Sequence, residues 1–209
     1  MRRAQSPGRR TLILRRAGRV FLEYGFLGAS MSRISNAIGC SKATLYLYFS
    51  NKHELFTEFM MSAIRQCAAT AFELPEPADD INARLRMIGY RYIAMFSDAT
   101  VMALYRSVIH ERQRFPEIGR YFVETGLQPA HQKLSRYLEE AAKAGVLPIT
   151  DVKRATKQFF ALCLGRLIED LLLDTEMPSK PPDIEHQVAV ALDAFFAIYP
   201  RRVAQIQAE

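Results

Sequence analysis

The sequence predicts an all-α fold. Three observations carry that expectation: apolar residues recur at helical spacing along nearly the whole chain, no stretch sustains the alternation of β-branched residues that marks a strand, and no Asn-Gly or Asp-Gly hairpin turn occurs. With 49% hydrophobic and 24% charged residues in 209, the composition is that of an ordinary globular protein able to bury a sizeable core. Helix breaks fall at Pro and Gly and divide the chain into about nine helices, with no internal repeat.

Ser6-Pro7 opens the first helix in the N-cap and N1 manner. Ile13, Ala17, Val20, Phe21 and Tyr24 fall on one of its faces, and Gly25 ends it. Gly18, in its middle, is expected to weaken it by ~1 kcal/mol against Ala. Ser30 caps a short second helix from Met31 to about Ile38, with Ile34 and Ile38 inward. Gly39-Cys40 makes a tight turn, and Ser41 caps a third helix to Phe49, with Leu45 and Phe49 inward. Asn51-Lys52-His53-Glu54 reads as a capping box opening a fourth helix, roughly 53–72.

A loop with two prolines follows at 73–80, then a fifth helix at about 80–97 with Ile81, Leu85, Ile88, Tyr92 and Met95 in helical register. A sixth runs over about 99–114. Pro116 starts a seventh, which 126–129 interrupts and which resumes to Ala144, where Gly145 and Pro148 stop it. Thr150 caps an eighth helix to about Asp174, a stiff Pro-rich loop occupies 177–182, and a ninth helix covers about 183–199.

Charge is unevenly divided. Residues 1–52 hold 10 Lys and Arg against the single acid Glu23, a net +9, while 53–209 hold 18 Lys and Arg against 21 Asp and Glu, a net −3. This asymmetry points to a polyanion-binding module joined to a near-neutral body; a basic solvated face is the plainer alternative. The expected domains are accordingly 1–52 and 53–209.

Several classes are set aside. No run of 18 apolar residues exists, and the apolar run after Arg2-Arg3 is only Leu12-Ile13-Leu14, so neither a spanning helix nor a secretion signal is expected. Cys40, Cys67 and Cys163 are scattered, which fits a reducing cytoplasm. No Walker loop, His-Glu-x-x-His, Gly-x-Ser-x-Gly or Cys-x-x-Cys occurs, and the four histidines show no i, i+4 pair, so neither an enzyme nor a metal or cofactor site is expected. Membrane-surface binding by the arginine-rich first helix is a rival, but the helix lacks exposed bulky residues for insertion.

The second and third helices, joined at Gly39, match the helix-turn-helix plan. Lys42, Ala43, Thr44, Tyr46, Leu47 and Tyr48 are left outward on the third helix. Lys42 can donate to phosphate or guanine, Thr44 offers a hydroxyl and a methyl, and Ala43 allows close approach to a thymine methyl. Tyr46 and Tyr48 carry hydroxyls for phosphate oxygens, although a helical aromatic is equally a packing residue. Lys52, at the start of the fourth helix, can fix the duplex backbone.

The block Ser41-Lys-Ala-Thr-Leu-Tyr-Leu-Tyr-Phe-Ser-Asn-Lys-His-Glu-Leu-Phe56 resembles the recognition-helix signature of the TetR/AcrR family of transcriptional regulators. Upstream, Ile13-Leu14, Ala17, Phe21, Tyr24-Gly25 and Ser32-Arg33-Ile34-Ser-Asn-Ala-Ile-Gly39 fit the family's N-terminal domain, so the likeness covers about residues 10–60. Arg106, His110-Glu111 and Phe115-Pro116-Glu117 look like one common type of its C-terminal domain. Two positions depart: Gly18, where the family often has a pair of small residues with Ala17, and Leu47, where many members carry a polar residue. The resemblance implies a homodimeric repressor that binds a palindromic operator in double-stranded DNA and is released by a small-molecule inducer in the C-terminal domain. It implies that Lys42, Ala43 and Thr44 face bases, and that Ser32, Arg33, Tyr46, Tyr48 and Lys52 contact or clamp the duplex. It also implies that the fourth helix links inducer pocket to DNA domain.

In the body, 159–168 reads as a helix apolar all round, so one side needs a partner, and a sister subunit is the natural one; a helix threaded through the centre of one domain is the alternative. With the last helix it would form a four-helix interface, expected at Phe160, Leu164, Leu167, Val188, Leu192 and Phe195. Met87, Tyr90, Phe96, Met102, Tyr105, Phe122, Phe159 and Cys163 could line an adaptable pocket for a small hydrophobic or amphipathic inducer; a plain core is the alternative reading of each. Arg166, inside the apolar run, is expected to pair with Glu169 or Asp170 or to reach across the interface.

Overall fold

A computed structural model describes residues 7–71, 80–173 and 183–201. Among them the secondary structure is helical, with no strand. The expected Ser6 cap and most of the two Pro-rich loops lie outside the described residues.

The first helix, α1 (Pro7–Gly28), is interrupted at Gly25 (φ 66), where the sequence expects its end. Helix α2 (Met31–Ile38) is capped by Ser30, whose side chain accepts from the Arg33 amide, and stops at Gly39 in the left-handed region (φ 77). Helix α3 (Lys42–Tyr48) is capped by Ser41, which accepts from the Thr44 amide. Helix α4 (Lys52–Ala71) begins on Asn51, whose Oδ1 accepts from the Glu54 amide at 2.8 Å. The return half of this box is displaced by one residue: Glu54 accepts from the Ser50 amide (2.7 Å) and hydroxyl, not from Asn51. Those bonds to the carboxylate hold the Glu54 pKa below its usual range.

Helices α5 (Ile81–Ser97) and α6 (Ala99–Glu111) follow. The single seventh helix expected from sequence is α7 (Pro116–Tyr121), a π-helical turn (Phe122–Leu127) and α8 (Gln128–Lys143). Pro129 has no N–H and its ring crowds the carbonyl four residues earlier, so the preceding turn widens instead of stopping the helix. The eighth is also divided. Helix α9 (Val152–Leu164) ends at Gly165 (φ 48) and α10 (Leu167–Leu173) resumes after it, so 159–168 is not one continuous helix. Asp151, not Thr150, caps α9 by accepting from the Arg154 amide at 3.0 Å. The last helix is α11 (Ile184–Ile198), capped by Asp183.

The chain forms two compact units, Met1–Cys67 with Ala103–Gly126, and Ala68–Met102 with Leu127–Glu209. The core of the first contains Ile13, Ala17, Phe21, Ile34, Leu45, Phe49, Phe56 and Phe115, all buried. Phe56 lies edge-on to Phe21 (5.0 Å) and tilted against Phe115 (4.9 Å), and Phe115 meets Phe26 edge-on at 4.8 Å. Gly18 lets α1 approach α4: a Cβ there would lie 2.2 Å from Phe59 Cε2. The residue that costs helix propensity is therefore a packing requirement. In the second unit, α5, α9 and α11 bury Leu85, Ile93, Phe159, Cys163, Val188, Leu192 and Phe195, and the Ser135 and Thr156 hydroxyls join α8 to α9 at 2.9 Å.

Candidate nucleic-acid interface

Ile34 and Leu45 are fully buried, so each short helix gives its inward positions to the core and presents the rest outward. Ile38, expected inward, is half-buried. On α3, Lys42, Ala43, Tyr46 and Leu47 are exposed, while Thr44 and Tyr48 are half-buried. The Thr44 hydroxyl lies 2.9 Å from the Ser41 hydroxyl and its amide donates to the same oxygen at 3.0 Å. That pair fixes the side-chain rotamer at the leading end of α3. Beside it a groove of about 330 Å³ runs between Gly8, Arg9 and Leu12 of α1 and Ile38, Gly39, Cys40 and Thr44 of the turn.

The charged side chains divide into those that fasten the head and those that cover it. Arg10 pairs with Glu58 and lies over the Phe49 ring at 4.6 Å; its hydrogen bond to Glu58 raises its pKa. Arg16 donates to the Ile38 carbonyl at 2.8 Å, tying α1 to the end of α2. Arg33 donates to the Gly28 carbonyl at 2.8 Å and covers the Tyr24 ring at 4.2 Å. Arg9, Arg15 and Arg19 are exposed along α1, and Ser32 is half-buried on α2.

Lys52 is the residue whose setting the sequence reveals least. Its Nζ donates to the carbonyls of Phe26 (2.7 Å) and Ala29 (2.8 Å) and lies 4.2 Å from the centre of the Phe26 ring. Burial, aided by the nearby Arg114 charge and opposed by Glu111, lowers its pKa. An ammonium has three donors, so one is left over after the two carbonyls. Glu111 is itself buried (6% exposed) and lies 3.6 Å from Arg114, so the cluster holds charges of both signs. The sequence signal for this anchor was only that Lys52 follows a helix cap and that Gly25 ends the first helix; that Lys52 reaches the Phe26 and Ala29 carbonyls is a tertiary fact.

The residues expected to form a pocket are divided between the two units. Tyr105 and Phe122 belong to the first unit and stack on each other at 5.5 Å. Phe96, Met102, Phe159 and Cys163 are buried in the second, where Met87 is half-buried and Tyr90 is exposed. Cys163 Sγ would lie 3.2 Å from a Cβ on Gly89, so Phe159 and Cys163 sit in close packing, and burial pushes the Cys163 thiol up to about 12. Among the residues expected at a subunit interface, Phe160, Val188, Leu192 and Phe195 are buried within their own chain, whereas Leu164 and Leu167 are half-buried. Arg166 pairs with Asp170 at 3.1 Å. Among the described residues no helix is long and apolar enough to cross a membrane, and no group of three or more His, Cys, Asp and Glu could hold a metal ion.

Comparison with known proteins agrees with this architecture. Residues 13–59 match the model of bacterial regulatory proteins of the tetR family, and residues 83–201 match that of the AefR-like transcriptional repressor C-terminal domain. The HTH-type transcriptional regulator YhgD of Bacillus subtilis is 24% identical over 180 residues, covering 86% of this chain and 91% of that one. A solved structure of the flavonoid-responsive regulator FrrA is 32% identical with a TM-score of 0.72, covering 93% of this chain and 100% of that one. A TetR-family regulator from Mesorhizobium loti shares the fold with a TM-score of 0.74 at 24% identity, covering 94% and 99%. A helix-turn-helix joined to a helical C-terminal region, both matched by their family models, makes this chain a member of the TetR family of DNA-binding transcriptional regulators, not an enzyme.

Proposed function

We propose that the protein is a homodimeric repressor that seats two copies of α3 in successive major grooves of a palindromic operator and leaves it when a small molecule binds the C-terminal region. The observation that carries this reading is the exposed row Lys42, Ala43 and Tyr46 on a helix capped and anchored from behind, within a segment of net charge +9. Residues 1–52 act as the DNA-binding part and 53–209 as the regulatory and dimerising part. Lys42, Ala43 and Thr44 read base edges; Ser32, Arg33, Tyr46, Tyr48 and the remaining donor of Lys52 meet the duplex backbone.

Because Phe160, Val188, Leu192 and Phe195 are committed to their own core, the sister subunit docks on the outer stripe of α11. There Val190, Ala197 and Ile198 are exposed and Ala194 is half-buried, at i, i+4, i+7 and i+8. Small-molecule release is supported by the name of FrrA, a flavonoid-responsive regulator. The inducer is a small hydrophobic or amphipathic compound, bound in the region of Met87, Phe96 and Met102. The working place of such a regulator is the cytoplasm, beside the chromosome.

Selection of bound sequences from random duplex tests this reading. It is expected to return an inverted repeat with half-sites one helical turn apart, ~34–36 Å, and an affinity that falls steeply with salt as counterions are released. Equal binding to all duplexes, or affinity unchanged from low to physiological salt, overturns it.

A further inference from the structure

We propose that Leu47 determines sequence specificity by reading a thymine 5-methyl group in the operator, as the second member of an apolar file with Ala43. The proposal rests on the reading of α3 as the base-facing helix and goes beyond it by naming the base and the residue.

Leu47 is 68% exposed on α3. An exposed leucine alone means little, because much of any protein surface is apolar. Its register gives it meaning here. Residues four apart lie on one helix face, about 6 Å between their Cβ atoms, so the outer side of α3 carries two files, Lys42 with Tyr46 and Ala43 with Leu47. The first is polar and able to donate. The second has no donor or acceptor on its side chains and cannot read a hydrogen-bonding edge. Among major-groove features, the thymine methyl is the one recognised by apolar contact.

The occupant follows from charge. The two files stand in a segment of net charge +9, which favours a polyanion over an apolar protein partner. With base pairs ~3.4 Å apart along a strand, a 6 Å separation sets Ala43 and Leu47 against bases one to two steps apart. The bulk of leucine extends the file farther into the groove than alanine reaches. The half-site is therefore expected to hold an A·T pair whose thymine lies under Leu47.

The test replaces single thymines of the selected half-site by deoxyuridine, which removes the methyl and leaves every hydrogen-bonding group in place. With the wild-type protein, one such position is expected to lose affinity about fourfold, the burial worth of a single carbon. With Leu47→Ala the thymine operator binds about as weakly as the uracil one, and the uracil substitution at that position has no further effect. Leu47→Met, which keeps the apolar bulk, retains the thymine preference. Wild-type binding insensitive to uracil at every thymine, with specific binding otherwise intact, overturns the proposal alone. So does a uracil penalty that survives in Leu47→Ala, since another residue then reads the methyl. If the wild-type protein prefers no duplex at all, the DNA-binding reading itself fails, a result distinct from either.

Discussion

Lys52 connects chemistry to stability at the level of single side chains. Its two bonds to the Phe26 and Ala29 carbonyls satisfy acceptors in the last turn of α1 and just past its end. Lys52→Ala is expected to lower head stability by about 1–2 kcal/mol and to weaken binding to all duplex sequences alike, read by denaturant melts alongside fluorescence anisotropy. A loss confined to one operator sequence would assign Lys52 to base reading. Gly18 reverses the expectation drawn from propensity. Alanine would add about 1 kcal/mol to the helix, but its methyl meets the Phe59 ring, and overpacking costs about 1–3 kcal/mol. Gly18→Ala is therefore expected to destabilise the protein, and less so in a Phe59→Leu background, where urea unfolding of the four variants of the cycle measures the coupling.

At the level of elements, the turn between α2 and α3 sets how the reading helix is presented. Gly39 holds φ 77, and its amide donates to Ser35 and Asn36 carbonyls at 3.0 and 3.1 Å. Gly39→Ala is expected to cost about 1–2 kcal/mol in left-handed strain and to reduce operator affinity more than stability alone explains, seen by comparing binding and melting under the same conditions. This stretch was legible in the sequence because Ser30, Gly39 and Ser41 act within a turn of their own helix. Legibility fell where a choice depended on distant partners. Thr150 and Asp151 both suit a helix cap, and only the fold selects Asp151. Phe160 and Val188 read as interface and are buried in their own chain, because periodicity marks an apolar face without saying which neighbour covers it. Lys52 and Arg33 read only as duplex-contacting cations, since nothing local in the chain reveals the carbonyls they bind. The split at Gly165 was hidden by the apolar residues on both sides of it.

For the whole molecule, two expectations follow. If the stripe Val190, Ala194, Ala197 and Ile198 carries the sister subunit, the native protein sediments at twice 23.8 kDa and Val190→Arg sediments as a folded monomer. Unchanged dimerisation in Val190→Arg moves the interface elsewhere. The second expectation concerns pH. His131 is half-buried beside the Phe160 ring (4.5 Å), and burial, with a smaller effect of Lys157, lowers its pKa from 6.5. The folded state therefore favours neutral imidazole. Its contribution is complete above the unfolded value and is lost as pH falls through the folded one. The melting temperature should decline as pH falls from above the unfolded value to below it, and His131→Leu should flatten that decline.

Phe115 is fully buried against Phe26 and Phe56, although it lies some way down the chain from both. A truncated polypeptide that stops after α4 would therefore lack an aromatic plug, leaving an apolar void where that ring belongs. Excising the front of the gene to obtain an autonomous DNA reader would produce a frayed, sticky fragment. A self-sufficient minimal version must splice 103–126 back onto it.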